Sequence, residues 1–192
     1  MPKKALRREL LTRRRGMDLH NWRSSSHAAQ QRLISMTAFT QSSCIALYAA
    51  IQHEVDTDEL FETALQHGKQ VLFPVVCGNR LQFRRTTSRE QLSHGAFGIL
   101  EPCLLEPEHL LETADLIVVP GVAFDLQGHR IGFGKGYYDH CLSELSERPL
   151  LIGLCHDFQL LEQLPAEGHD IRMQYVVTDQ RIIEVGTGCT PD

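Results

Sequence analysis

The chain has 192 residues, 42% of them hydrophobic and 22% charged, with a formal net charge of −5. These values suit one soluble globular domain with a continuous core. No run of about 18 apolar residues occurs, so no transmembrane helix is expected, and the start lacks the apolar stretch of a secretory signal.

Charge is unevenly placed. Residues 1–15 carry seven basic side chains (Lys3, Lys4, Arg7, Arg8, Arg13, Arg14, Arg15) and one acid, Glu9, which leaves 12 basic and 23 acidic residues in the rest. A basic segment on an acidic body points to an anionic small ligand or an intramolecular dock, whereas a nucleic-acid surface more often makes the whole domain basic. An Arg-rich start also suits a transit peptide, but such a segment should be Ser-rich as well. The six cysteines (44, 77, 103, 141, 155 and 189) form no C-x-x-C pair. They read as reduced thiols of a cytoplasmic protein.

In chain order, Leu6, Leu10 and Leu11, then Ala29, Leu33, Ile34 and Met36, recur at helical spacing and predict helices over residues 1–40. Gly16 and Asp18 mark the break between them, with Asp18 as N-cap. Ser43 to Ala50 reads as a buried strand. Asp56-Thr57-Asp58-Glu59 resembles a capping box that opens a helix ending at Gly68. Strands are predicted over Gln70 to Val76 and Arg80 to Arg84. Residues 85–113 read as irregular, with short helical pieces and Pro102 and Pro107 as breakers. A strand over Asp115 to Val119 leads into a glycine loop, followed by a helix from Tyr137 to Leu145. Leu150 to Cys155 reads as a strand and Phe158 to Gln163 as a short helix. Tyr175 to Thr178 and Arg181 to Val185 form a terminal pair, and residues 186–192 a frayed tail. This alternation predicts one α/β domain over 1–192 with a mainly parallel sheet.

The loop carries the chemistry. Pro120-Gly121-Val122-Ala123-Phe124-Asp125-Leu126-Gln127-Gly128-His129-Arg130-Ile131-Gly132-Phe133-Gly134-Lys135-Gly136-Tyr137-Tyr138-Asp139 follows a strand, and ligands of open parallel sheets sit beyond the carboxyl ends of strands. Alternate glycines at 132, 134 and 136 permit positive φ and close backbone approach. Their amides, with the start of the next helix, would bind phosphate oxygens. Lys135 would add a point charge. Tyr137 and Tyr138 could stack on a heteroaromatic ring or pack against the sheet. Asp139 could bind Mg²⁺ or simply favour the helix dipole. The pattern is neither a Walker A motif nor G-x-G-x-x-G, so spacing alone also allows an ordinary strand-to-helix connection. His156-Asp157 and His169-Asp170, 13 residues apart, do not match a defined zinc site, and no G-x-S-x-G is present.

The same run, P-G-x-A-F-D-x-x-G-x-R-I-G-x-G-K-G-Y-Y-D, resembles the signature of the 5-formyltetrahydrofolate cyclo-ligase family, also called methenyltetrahydrofolate synthetases. Lys3-Lys4-Ala5-Leu6-Arg7 resembles the family's basic N-terminal element. Gln52 to Thr57 resembles its substrate-side turn, and the stretch from His169-Asp170 to Val177-Thr178 its closing strand. The resemblance implies a Rossmann-like three-layer α/β/α fold and an enzyme that uses ATP and Mg²⁺ to turn 5-formyltetrahydrofolate into 5,10-methenyltetrahydrofolate. No nucleic acid or membrane is expected as a partner, and the protein is expected to be a monomer. By matching position it implies that Lys3, Lys4, Ala5, Leu6 and Arg7 meet the nucleotide. Arg130, Ile131, Gly132, Phe133, Gly134, Lys135, Gly136, Tyr137 and Tyr138 would cradle ATP. Ala49, Glu54, Phe97 and Phe133 to Tyr137 would meet the folate, with Glu54 on the pterin. Asp139 would hold Mg²⁺, and Lys135, Arg130 and Tyr137 would act in catalysis. Arg13 to Arg15 are expected to be solvated.

Two positions depart from the family's pattern. Gln174 stands where several relatives have a second acidic metal ligand. Phe97, or alternatively Phe124, stands for the tryptophan that covers the pterin. Two other readings remain: a non-catalytic folate- or nucleotide-binding module, and a transferase for a CoA or sugar phosphate.

Overall fold

The computed structural model describes residues 2–95, 98–102, 108–109, 111–145, 149–165 and 171–186. Three N-terminal helices, α1 (Lys3–Arg15), α2 (Leu19–Ile34) and α3 (Thr37–Gln41), precede the first strand, β1 (Cys44–Ala46). Asp18 caps α2 as expected, accepting the Asn21 N–H at 2.9 Å. Then come α4 (Asp58–Gln66), β2 (Gln70–Cys77), β3 (Arg80–Arg85), β4 (Leu92–His94), β5 (Leu100–Pro102), β6 (Glu108–His109) and β7 (Leu116–Val119). The C-terminal part adds β8 (Ala123–Asp125), β9 (Arg130–Ile131), α5 (Tyr137–Ser143), β10 (Leu150–Leu154), β11 (Leu160–Leu161), β12 (Tyr175–Val177) and β13 (Ile182–Glu184).

Eight strands form one sheet in the order β13-β12-β10-β7-β1-β2-β3-β6. Its centre, from β12 to β2, is parallel, and both edges are antiparallel. The period-2 alternation of β7 shows how the layers are fixed. Leu116 and Val118 face a cluster with Leu33, Phe39, Leu60 and Phe61 of the α2–α4 layer. Ile117 and Val119 face the opposite cluster, with Phe83, Phe124 and Leu142. Strands buried on both faces read as unbroken apolar runs, as β7 does.

Several expectations need correction. β1 is shorter than Ser43 to Ala50. Its register sets Ala46 beside Leu72, so continuation would set Tyr48 beside Pro74, which has no N–H for the ladder. The chain therefore leaves the sheet after Leu47. The capping box before α4 does not form. Thr57 Oγ1 instead donates to Tyr48 O at 2.6 Å, while Asp56 Oδ1 accepts the Asp58 N–H and Gln30 Oε1 the N–H groups of Glu59 and Leu60. Within the stretch expected to be irregular, Leu92–His94 and Leu100–Pro102 pair antiparallel as β4 and β5. The predicted helix over Phe158 to Gln163 is one 3₁₀ turn, Asp157–Gln159, followed by β11.

A second small sheet, β11-β8-β9, is built from the signature itself. Asp125 is fully buried at its turn. It accepts the N–H groups of Gln127, His129 and Leu164 at 2.8–2.9 Å and faces His129 Nδ1 at 3.0 Å. The first half of the signature thus makes a rigid hairpin that presents Arg130 and the glycine loop. Leu6, Leu10 and Leu11 of α1 pack on Val122, Ala123 and Ile131 of this sheet, which brings the basic helix to the loop. Among the described residues, no helix is long and apolar enough to cross a membrane.

Candidate active site

The carboxyl ends of β1, β2 and β7 open into a cavity of about 400 Å³. It gathers Lys3 and Arg7 from α1, Ala49 and Glu54 from the segment after β1, and every residue from Arg130 to Asp139. Lys4 is exposed on α1, and Leu6 packs in the α1 cluster; with Ala5 they lie outside the cavity lining. Phe97 lies outside the described residues. Phe124 is fully buried: a Cβ at Gly121 or Gly153 would come within 2.6 Å of its ring. It is a core residue, so the alternative of Phe124 over a pterin is excluded.

Positive φ is required at two loop glycines, Gly134 (+98°) and Gly136 (+71°). Arg7 Nε donates to Gly132 O at 2.8 Å and so ties α1 to the loop. A Cβ on Gly134 would stand 3.4 Å from the Arg7 guanidinium. α5 has only seven residues, so positive charge at the loop comes from Lys3, Arg7 and the exposed Lys135 in the lining more than from a helix dipole. The two tyrosines divide their roles. Tyr138 packs into the core with its hydroxyl buried and unpartnered, and burial raises its pKa well above the usual value. Tyr137 is half-buried at the rim.

Arg130 Nη2 donates to Asp139 Oδ1 at 2.5 Å. Among the described residues no three His, Cys, Asp or Glu side chains converge. A single, partly exposed carboxylate beside the glycine loop fits Mg²⁺, which commonly takes one or two carboxylates with nucleotide phosphates and waters. Gln174 does not contribute. Its Oε1 accepts the Leu151 N–H at 2.7 Å at the start of β10, the end of the parallel sheet opposite the cavity. His156 is engaged on both ring nitrogens, by Ser25 Oγ at 2.6 Å and His53 O at 2.9 Å, leaving it no face for a metal. Burial lowers its pKa.

Glu54 closes the deep side of the cavity. Gln52 and His53 hold φ values of +50° and +57°, a conformation that costs about 1 kcal/mol or more per non-glycine residue. Side chains from three elements hold the turn. Arg14 Nε donates to Gln52 O at 3.0 Å, His156 Nε2 to His53 O at 2.9 Å and Trp22 Nε1 to Glu54 O at 2.7 Å. The turn buries Glu54 to 4% exposure, and its Oε2 accepts the Ile51 N–H at 3.1 Å. Burial pushes the Glu54 pKa up to about 7, against the pull of Arg14 and the Ile51 N–H.

Sequence reasoning missed two groups. Arg14, expected in solvent, is 1% exposed. The helical phase of Lys3, Arg7 and Arg14, spaced four and seven residues apart, placed all three on one face of α1 and was the available signal. Glu101 of β5 is 7% exposed and lines the cavity beside Val76, Leu81 and Ile99; no local pattern marked it.

The chain is similar to known proteins along most of its length. Residues 1–179 match the model of the 5-formyltetrahydrofolate cyclo-ligase family. A 5-formyltetrahydrofolate cyclo-ligase of Escherichia coli K12 is 32% identical over 178 residues, spanning 90% of this chain and 97% of that protein. The solved 5,10-methenyltetrahydrofolate synthetase of Aquifex aeolicus superposes with a TM-score of 0.88 at 37% identity, covering 100% of this chain and 97% of that one. The one from Mycoplasma pneumoniae does so at 0.77 with 25% identity, over 93% and 99%. With the signature loop, the basic helix and the Glu54 turn all meeting in one cavity, the chain belongs to the 5-formyltetrahydrofolate cyclo-ligase family.

Proposed function

We propose that the protein converts 5-formyltetrahydrofolate to 5,10-methenyltetrahydrofolate at the expense of ATP. The observation that carries this reading is one cavity with two chemically distinct ends. Lys3, Arg7, Lys135 and the glycine amides suit polyphosphate, and the buried Glu54 carboxylate suits the N–H and amino donors of a pterin.

The formyl oxygen attacks the γ-phosphorus and ADP leaves. N10 of the folate then attacks the phosphorylated formyl carbon, which closes the five-membered ring; the N10 proton is lost, and expulsion of phosphate leaves the methenyl C=N bond. Catalysis of this kind is positioning and charge neutralisation. Lys135 offsets charge on the transferring phosphoryl group. The loop amides and Arg7 hold the nucleotide, and Tyr137 and Phe133 flank the meeting point from the rim. Arg130 orients Asp139, the residue that would hold Mg²⁺, whose chemistry there is to neutralise phosphate oxygens. Every group invoked comes from one chain, so a monomer suffices. The described cysteines 44, 77, 141 and 155 are unpaired, which suits a reducing cytoplasm.

The test is to mix the purified protein with 5-formyltetrahydrofolate, ATP and Mg²⁺ and follow the near-ultraviolet absorbance of the methenyl product. An ATP-dependent rise is expected. Binding of both ligands without product would make the chain a non-catalytic binding module instead.

A further inference from the structure

We propose that Arg14 is a positioning residue of the folate subsite: its charge favours the ionised form of the Glu54 carboxylate, from the same helix that carries the phosphate-binding cations. This rests on the reading of Glu54 as the pterin's partner.

A guanidinium that is 1% exposed needs compensation. Arg14 Nε and Nη1 find it in two carbonyls, Gln52 O and Gly121 O, each at 3.0 Å. Those bonds pin the left-handed turn before Glu54 and the chain just beyond β7. The third nitrogen, Nη2, makes no hydrogen bond. It faces Glu54 Oε1, also without one, at 3.7 Å. A charge-assisted hydrogen bond would close to about 2.7–2.9 Å. At the observed spacing the pair is electrostatic, since Coulomb attraction in a buried setting outlasts the hydrogen bond. Oε1 is left as an acceptor for a donor that arrives in the cavity.

The surroundings of Glu54 give Arg14 this task. Tyr48, after β1, and Tyr138, of α5, are buried phenols whose pKa values are driven upward, so both are neutral. Across the cavity Arg130 is committed to Asp139, and Glu101 is a further acid in the lining. Burial alone would leave Glu54 a neutral acid, a poor partner for ring N–H donors. Arg14 is the cation that opposes that burial. Lys3, Arg7 and Arg14 lie on one face of α1, so nucleotide contacts and the Glu54 pair share one rigid helix.

The experiment compares the parent with R14Q, R14K, E54Q and R14Q/E54Q in steady-state assays from about pH 6 to about 9. For the parent, KM for 5-formyltetrahydrofolate should fall as pH rises through about 7. In R14Q this fall should move up by about one pH unit or more, with KM about tenfold higher at neutral pH and within about threefold of the parent at the alkaline end, where Glu54 is ionised in both. R14K, which keeps the charge, should retain the parent's profile. In the E54Q background, R14Q should add no more than about twofold. A uniform loss at every pH, additive effects in the double variant, or an R14K profile displaced like that of R14Q would each overturn the proposal by making Arg14 a structural clamp. An E54Q protein with parental KM would overturn the pterin reading of Glu54 and the proposal with it.

Discussion

Replacing Gly134 by alanine tests whether the loop's backbone shape binds the nucleotide. At φ +98° an L-residue is strained by about 1–2 kcal/mol. The new methyl would sit in ordinary van der Waals contact with the Arg7 guanidinium, at 3.4–3.5 Å, so it adds no clash; a relaxed φ is what would draw the neighbouring Gly132 carbonyl away from Arg7. The Arg7–Gly132 bond, 2.8 Å long, is a charged donor on a carbonyl and carries about 1.5 kcal/mol or more. Relief of strain by flattening φ would turn the loop amides away from the phosphates. Together these effects amount to about 2–3 kcal/mol, or roughly 30- to 150-fold in kcat/KM for ATP. The assay is kcat/KM for ATP at saturating folate, with thermal unfolding as control; the strain alone should lower Tm by roughly 2–8 °C, which leaves the protein folded at assay temperature. Gly68→Asn is the matched comparison. Its φ of +72° is also left-handed, asparagine tolerates that region, a Cβ there has nothing within 4 Å, and it follows α4, outside the cavity lining. It should stay within about threefold of the parent. A Gly134→Ala enzyme with parental kcat/KM would refute the reasoning.

Lys135→Ala should lower kcat by about 10²–10³, the range for removal of one transition-state contact, with a smaller change in KM for folate; a change confined to KM would contradict its role at the transferring phosphate. Gln174→Ala should leave kcat and the Mg²⁺ dependence unchanged and lower Tm by roughly 2–4 °C, as expected for about 1 kcal/mol of lost hydrogen bonding. A raised Mg²⁺ requirement would return this residue to the metal site. Stability should also vary with pH through Glu54. Its pKa is raised from 4.5 to about 7 on folding, so its favourable contribution is complete below pH 4.5 and is lost as pH rises through about 7. The shift corresponds to about 3 kcal/mol. Thermal melts of the parent and Glu54→Gln should show a shallower fall in Tm for the variant across that window, and parallel curves would contradict the buried setting of Glu54.

What was legible in the sequence followed from local signals. The apolar run ending at Val119, the alternating glycines after it and the cap at Asp18 act over a few residues, and each fell close to its predicted place. The small sheet did not show, because Leu160–Leu161 becomes a strand only by pairing with Phe124 and Asp125, over 30 residues away. The β4–β5 pair combines short, mixed-polarity strands that carry no clean period. Gln174 illustrates a different limit. Its alignment beside a family metal ligand was a matter of sequence, but the end of the sheet it occupies is set by the parallel pairing of β10 with β12. Arg14 lay in a run of three arginines whose composition reads as solvated; only the phase of α1 distinguishes it from Arg13 and Arg15, both exposed.

The most direct test of the central claim is to quantify ADP and 5,10-methenyltetrahydrofolate in the same reaction, with and without 5-formyltetrahydrofolate. If phosphate and formyl group meet in this one cavity, the two products appear in equal amounts and ADP formation stops when the folate is omitted. ADP released at the same rate without folate, or no methenyl product with both ligands bound, would contradict it.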